Sequence, residues 1–240
     1  MPQSQTCGTM GWGKIFRNTI SKAKLKKSQF HNLLIFYFYN MKKFTAFIIC
    51  LIIYSCDSKK ELPFLGEPIS QNGHLIYPTI SSFSFMNQDS LLIRNQHFDG
   101  KIYLADFIFL SCPTICPKMT NTMKKVHDHF INNDQIYYIS YSIDPEHDSI
   151  PRLKEYAMQL NASNKTWQFV TGNKDSILYL AEHAYYSKAY IDSTSPGGFT
   201  HSGGILLVDK NRHLRGVYNG TAINSSDKII ADIKLLLEEE

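Results

Sequence analysis

The apolar run over residues 101–110 constrains this chain most, because it stops just short of Cys112-Pro113-Thr114-Ile115-Cys116-Pro117 and a helical pattern follows directly. Such a run reads as a strand buried in the middle of a sheet. Pro117 suits a first helical turn, where its missing N–H has no partner to lose. Met119, Met123, Val126 and Phe130 then fall on one helical face, so a helix is expected to begin at Cys116 or Pro117. A strand that passes into a helix across two cysteines sets both thiols at the end of a sheet, beside a helix N-terminus.

The remaining pattern fits around that unit. Residues 81–86 alternate polar and apolar and end at Asn87-Gln88-Asp89, a strand and a turn. Residues 136–143 are again strand-like, and residues 150–160 read as a helix with Leu153, Ala157 and Leu160 inward. Residues 167–170 and 175–184 repeat strand then helix. Two short apolar runs, 205–208 and 214–218, are joined by Asp209-Lys210-Asn211-Arg212 as a hairpin, and residues 226–237 form a last amphipathic helix with Ile229, Ile230, Ile233 and Leu237 inward. Strands alternating with helices, then a hairpin, then a helix, predict an α/β fold of the thioredoxin-like sandwich type, with a central mixed sheet flanked by helices.

Charge divides the chain sharply. The first 56 residues hold eight basic side chains and no acidic one, so residues 57–240 carry 17 basic against 21 acidic residues. The pI of 8.7 therefore describes the leading segment and gives no reason to expect nucleic acid as a partner. Within that segment Met41-Lys42-Lys43 precedes an apolar run over 44–54 that ends at Ser55-Cys56, the layout of a secretory signal. The last four residues, Ile53-Tyr54-Ser55-Cys56, look like a bacterial lipobox, which makes Cys56 the expected lipidation site and the cell envelope, outside the cytoplasm, the expected location. The run is shorter than the roughly 20 apolar residues of a spanning helix, so a retained anchor is the weaker reading. The expected division is an upstream extension or mis-assigned start over 1–40, a lipoprotein signal over 41–56, a polar tether over 57–69 and the folded domain over 70–240.

With Cys56 capped by lipid, Cys112 and Cys116 are the free thiols that remain after the leader. Unpaired N–H groups at a helix start stabilise thiolates, and both sulfurs are expected to favour that form. Soft thiolates select Cu(I) over hard cations; a redox pair and, less readily, a structural bridge in an exported protein are the alternatives the spacing leaves open. Two sulfurs leave a copper site open for a third ligand. His127 and His129, two apart on a helix, do not face each other, and His129 is expected to point to water. His74, His97, His147, His183 and His213 read as surface, loop or hairpin residues. His201 differs, because Ser195-Pro196-Gly197-Gly198-Phe199-Thr200-His201-Ser202-Gly203-Gly204 is a glycine-rich loop that leads into a strand, and such a loop can approach a ligand closely.

Three motifs in order carry a family resemblance over about residues 70–238: residues 106–117 as a block, Ser142-Ile143-Asp144-Pro145-Glu146-His147-Asp148, and Phe199-Thr200-His201-Ser202. Together they resemble the Sco/SenC family of copper chaperones. The resemblance implies that Cys112, Cys116 and His201 bind one copper ion, as Cu(I) or Cu(II), and that Asp144 is an acidic residue near the site. It further implies a copper donor protein and the copper-centre subunit of a respiratory oxidase as partners. The implied role is to deliver copper to the dinuclear centre of that oxidase or keep its cysteines reduced. The alternative is a membrane-tethered thiol–disulfide oxidoreductase or thiol peroxidase, with Cys112 attacking and Cys116 resolving. Two positions depart from the family's habit: Thr114 where Asp is frequent between the cysteines, and His147 where Arg is frequent.

Overall fold

The computed structural model describes residues 60–162, 165–187, 189–191, 199–201 and 203–239, together with Phe36, Tyr37, Tyr39 and Met41. The expected signal, Cys56 and the upstream segment lie outside these residues. None of the helices among the described residues is long and apolar enough to cross a membrane.

In chain order the strands are β1 (Ile69–Gln71), β2 (His74–Ile76), β3 (Ser84–Asn87), β4 (Leu92–Arg94), β5 (Ile102–Ile108), β6 (Ile136–Ser142), β7 (Trp167–Thr171), β8 (Ala189–Ile191), β9 (Phe199–His201), β10 (Gly204–Val208) and β11 (Leu214–Asn219). The helices are α1 (Ile115–His129), α2 (Ile150–Gln159), α3 (Lys174–His183) and α4 (Ser225–Glu238), with a 3-10 turn at Asn95–Phe98. Seven strands form one sheet in the order β11-β10-β5-β6-β7-β3-β4. The β5, β6 and β7 strands run parallel, while β10 and β3 flank them antiparallel. This is the mixed sheet of a thioredoxin-like α/β sandwich.

Central β5 is buried at every position, which is why its sequence is a continuous apolar run rather than an alternating one. Successive side chains still point to opposite faces. Tyr103 and Phe107 lie on one face with Tyr141 and Tyr185: the Phe107 and Tyr141 rings stack at 5.0 Å, and the Tyr185 hydroxyl is 3.3 Å from that of Tyr103 and 3.1 Å from that of Tyr141. Asp106 and Ile108 point to the other face, over which α1 packs through Met119, Met123 and Val126, each fully buried. Burying each of these three contributes about 1.5–3 kcal/mol.

Several boundaries differ from the sequence expectation for identifiable reasons. The first ladder residue of β3 is Ser84, because the Phe83 N–H is taken by the Asn95 side chain at 2.7 Å. The α1 helix starts at Ile115, one residue before the thiol expected to open it. In α4 the buried set is Ile229, Ile233 and Leu236, with Leu237 half-buried, since a helical face drifts from strict four-residue steps. Likewise Leu160 is only half-buried, as it caps α2.

Part of the segment expected as a tether is fixed to the domain. Arg215, 5% exposed, donates to the Leu62 carbonyl at 2.5 Å, pairs with Asp209 at 3.0 Å and Glu239 at 2.7 Å, and lies 4.2 Å over the Phe64 ring. Leu65 N–H donates to the Leu214 carbonyl at 2.8 Å. Leu214 pairs with Val208, and Val208 pairs with Tyr103, so this clasp sits at the end of the sheet where β5 begins.

Candidate thiol and metal site

At its other end β5 delivers the cysteines. Cys112 N–H turns back onto the Phe109 carbonyl at 3.1 Å, and Leu110 N–H donates to Asp148 Oδ2 at 3.0 Å. Ser142 Oγ donates to the same Asp148 oxygen at 2.7 Å. Asp148 thus ties the end of β6 to the approach of the cysteine turn. It sits in the second motif, yet its burial was not apparent in the sequence.

Both cysteines are unbridged thiols, 7% and 3% exposed. The first turn of α1 folds over Cys112, so that the Cys116 N–H points at its Sγ from 3.5 Å. Burial alone raises the Cys112 thiol. The backbone N–H groups of Cys116, Thr114 and Ile115, with the Cys116 side chain, outweigh it and hold the thiol below its ordinary value. Cys116 goes the other way: burial pushes it well up, and the negative charge of Cys112 and of Asp106 adds to that. The expectation that both sulfurs favour the thiolate is therefore corrected. Helix N–H groups reach Cys112, while Cys116 lies inside the first turn among apolar side chains.

Asp106 opens the first of the three motifs. Its carboxyl is 1% exposed, neither oxygen has a hydrogen-bond partner, and burial raises it to about 7, with the facing Ser140 only partly offsetting this. The Ser140 hydroxyl accepts from Trp167 Nε1 at 3.1 Å. The Tyr156 hydroxyl, 2.9 Å from Thr120 Oγ1 on α1, feels the charge of Asp106, Cys116 and Asp148.

Asp144 follows β6, whose end lies beside that of β5 through the Ile108 and Ser142 pairing. It is 6% exposed and accepts from His147 Nδ1 at 2.9 and 3.0 Å. His147 is on the surface as expected, and its hydrogen bond to Asp144 raises its pKa. His129 is exposed as expected. His127 is buried against Tyr138 and Trp167, and burial lowers its pKa. Its position four residues after Met123 was the available signal.

His201 closes β9, where its backbone pairs with Ala189; its side chain lies outside the described residues. Because β10 runs antiparallel to β5 with Ile205 opposite Asp106, the chain just before Gly204 stands at the same end of the sheet as the cysteines. Among the described residues no group of three His, Cys, Asp or Glu side chains could hold a metal ion. The described donors are the two thiols, soft ligands suited to Cu(I).

An unbridged thiol pair at a strand-to-helix turn, on a thioredoxin-like sandwich with a hairpin and closing helix, defines a class of thiol-bearing α/β proteins. The comparisons narrow the class: the SCO1/SenC family model matches residues 74–238, and the chain belongs to that family. The SCO1 protein homolog of Bacillus subtilis (strain 168) is 30% identical over 197 residues, covering 81% of this chain and 95% of that one. A SCO1/SenC family lipoprotein from Bacillus anthracis is similar in structure, with 27% identity, TM-score 0.61, and 66% of this chain and 95% of that one covered. So is BsSco, a member of the Sco family of cytochrome c oxidase assembly proteins in which a disulfide switch is identified, with 27% identity, TM-score 0.59, and 74% and 98% covered.

Proposed function

We propose that this chain carries copper for the assembly of a respiratory oxidase. It accepts one copper ion from a donor protein through Cys112, Cys116 and His201, then passes it to the oxidase subunit that holds the dinuclear copper centre. The observation that supports this reading best is the meeting of two unbridged thiols and the approach to β10 at one end of the sheet. Two thiolates and one imidazole make a soft, three-coordinate set suited to copper. Asp144, held by His147, contributes negative charge at that end without serving as a ligand. Lipidation at Cys56 would keep the domain on the outer side of a membrane, in keeping with the lipoprotein relative in B. anthracis.

The split between the two thiols favours a second reading, in which the same pair keeps the copper-site cysteines of the oxidase reduced. Cys112, held toward its thiolate, attacks a disulfide sulfur of the partner. One partner thiolate leaves, and a mixed disulfide forms. Cys116 then gives up its proton and attacks the Cys112 sulfur, closing the intramolecular disulfide and releasing the second partner thiolate. The disulfide switch identified in BsSco accords with this chemistry.

One set of variants of the reduced, full-length protein in detergent tests both readings. Cys112→Ser and Cys116→Ser are each expected to abolish tight copper binding. His201→Ala is expected to weaken copper at least about tenfold while its thiols still react with a model disulfide at the wild-type rate. Unchanged copper affinity together with a collapsed exchange rate in His201→Ala would make the histidine a redox auxiliary and overturn the copper assignment.

A further inference from the structure

Gly203, two residues after His201, is tied to the thiol helix by a short chain of bonds made by residues outside all three family motifs. Thr122, on α1 and 7% exposed, donates its hydroxyl to the Gly220 carbonyl at 2.8 Å. Gly220 N–H in turn donates to the Gly203 carbonyl at 2.8 Å. Gly203 lies two residues after His201, in the left-handed conformation with φ +64°, and begins the path into β10. Its carbonyl is therefore fixed relative to α1 through two hydrogen bonds. Thr122 stands six residues after Cys116 on the same helix, about 9 Å along its axis.

Gly220 has no room for any other side chain. A Cβ there would meet Met119 Cγ at 2.9 Å, Ile205 Cδ1 at 3.0 Å and the Gly203 carbonyl oxygen at 3.1 Å. Met119 belongs to α1 and Ile205 to β10, so the glycine sits between the thiol helix and the strand that follows His201. The turn around it is secured on its far side as well: Ser225 Oγ donates to the Asn219 carbonyl, and Asn219 Oδ1 accepts from Thr221 N–H at 3.0 Å. Without the bond to Thr122, a buried Gly220 carbonyl loses its partner, which the fold can relieve only by moving the turn.

We propose that Thr122, Gly220 and Gly203 form a positioning brace that sets how far His201 reaches toward Cys112 and Cys116, and so tunes the third copper ligand without touching the metal. This rests on the copper reading above. Thr122 is a positioning residue: its hydroxyl acts on Gly220, Gly220 on Gly203, and Gly203 on the segment that ends in the histidine.

The test is a double-mutant cycle between Thr122 and His201, read by competitive Cu(I) affinity and by the nitrogen hyperfine pattern of the Cu(II) form. Thr122→Val is expected to lower affinity about tenfold, the scale of one lost buried hydrogen bond, and to weaken the nitrogen signal. Thr122→Ser, which keeps the hydroxyl, should restore both. In the His201→Ala background Thr122→Val should change affinity no further, because the ligand it positions is gone. An equal loss in both backgrounds would show that Thr122 acts on the fold or the thiols, and would overturn the brace. Wild type and His201→Ala indistinguishable in affinity and hyperfine pattern would instead remove the copper reading on which it rests. Should Thr122→Val not fold, Thr122→Ala carries the same cycle with a smaller side chain.

Discussion

The two faces of the central sheet are built from the same strands and differ in how their polar atoms are treated. On one face the hydroxyls of Tyr103, Tyr141 and Tyr185 answer one another, enclosed by Phe83, Phe85 and Phe107. On the other, Asp106 is sealed under α1 with neither oxygen hydrogen-bonded, within electrostatic range of Cys116. A buried polar group with partners rigidifies a core, and one without them costs stability. The tyrosine face stabilises the sandwich; the aspartate face gives up stability beneath the thiol pair.

Removing the ring at the centre of the satisfied face should have the largest effect. Tyr141→Ala deletes a fully buried ring that stacks on Phe107, and is expected to cost about 3–5 kcal/mol, read as the shift in urea midpoint. A loss under about 1 kcal/mol would mean that this face does not anchor the fold.

Asp106→Asn should act in the opposite direction. The folded carboxyl titrates near 7 against an ordinary value of 3.8, so the folded state binds the proton more tightly and wild-type stability falls as pH rises from about 4 to 7. The variant should be more stable than wild type by up to about 4 kcal/mol at pH 8, with the difference shrinking below pH 7 and gone by about pH 4. Urea midpoints that run parallel from pH 4 to 8 would show that the carboxylate is not paying a burial penalty.

The smallest of the three effects comes from the residue that faces Asp106 across the β5–β6 pairing. Ser140→Ala leaves the buried Trp167 Nε1–H without its acceptor and should cost about 1–3 kcal/mol. It should also raise the Asp106 titration further, since Ser140 lowers it. No movement of that titration in a pH series would separate the serine from the aspartate.

These contrasts separate what a linear sequence displays from what it hides. The β5 run, the apolar face of α1 through Met119, Met123 and Val126, the hairpin of β10 and β11 and the free thiol pair were legible, because each depends on neighbours within a turn or a strand. The isolation of Asp106 was not. It depends on the surroundings that β6, β7 and α1 supply once the sheet is assembled, which no local pattern displays. The split between Cys112 and Cys116 was hidden similarly, as it turns on which thiol the N–H groups reach once α1 begins at Ile115. His127 shows a third case: its place on the inward face was readable from Met123, but not its pairing with Tyr138 and Trp167. The Arg215 clasp joins Leu62, Asp209 and Glu239 from distant parts of the chain, and no local pattern announces it.

That clasp also fixes where the domain begins relative to its thiols. Leu62 and Leu65 are held beside the start of β5, whereas the cysteines follow its end, so the first described residues of the domain and the thiols lie at opposite poles, about 20 Å apart along the strand. Any chain leading into Lys60 thus joins at the pole remote from the thiols.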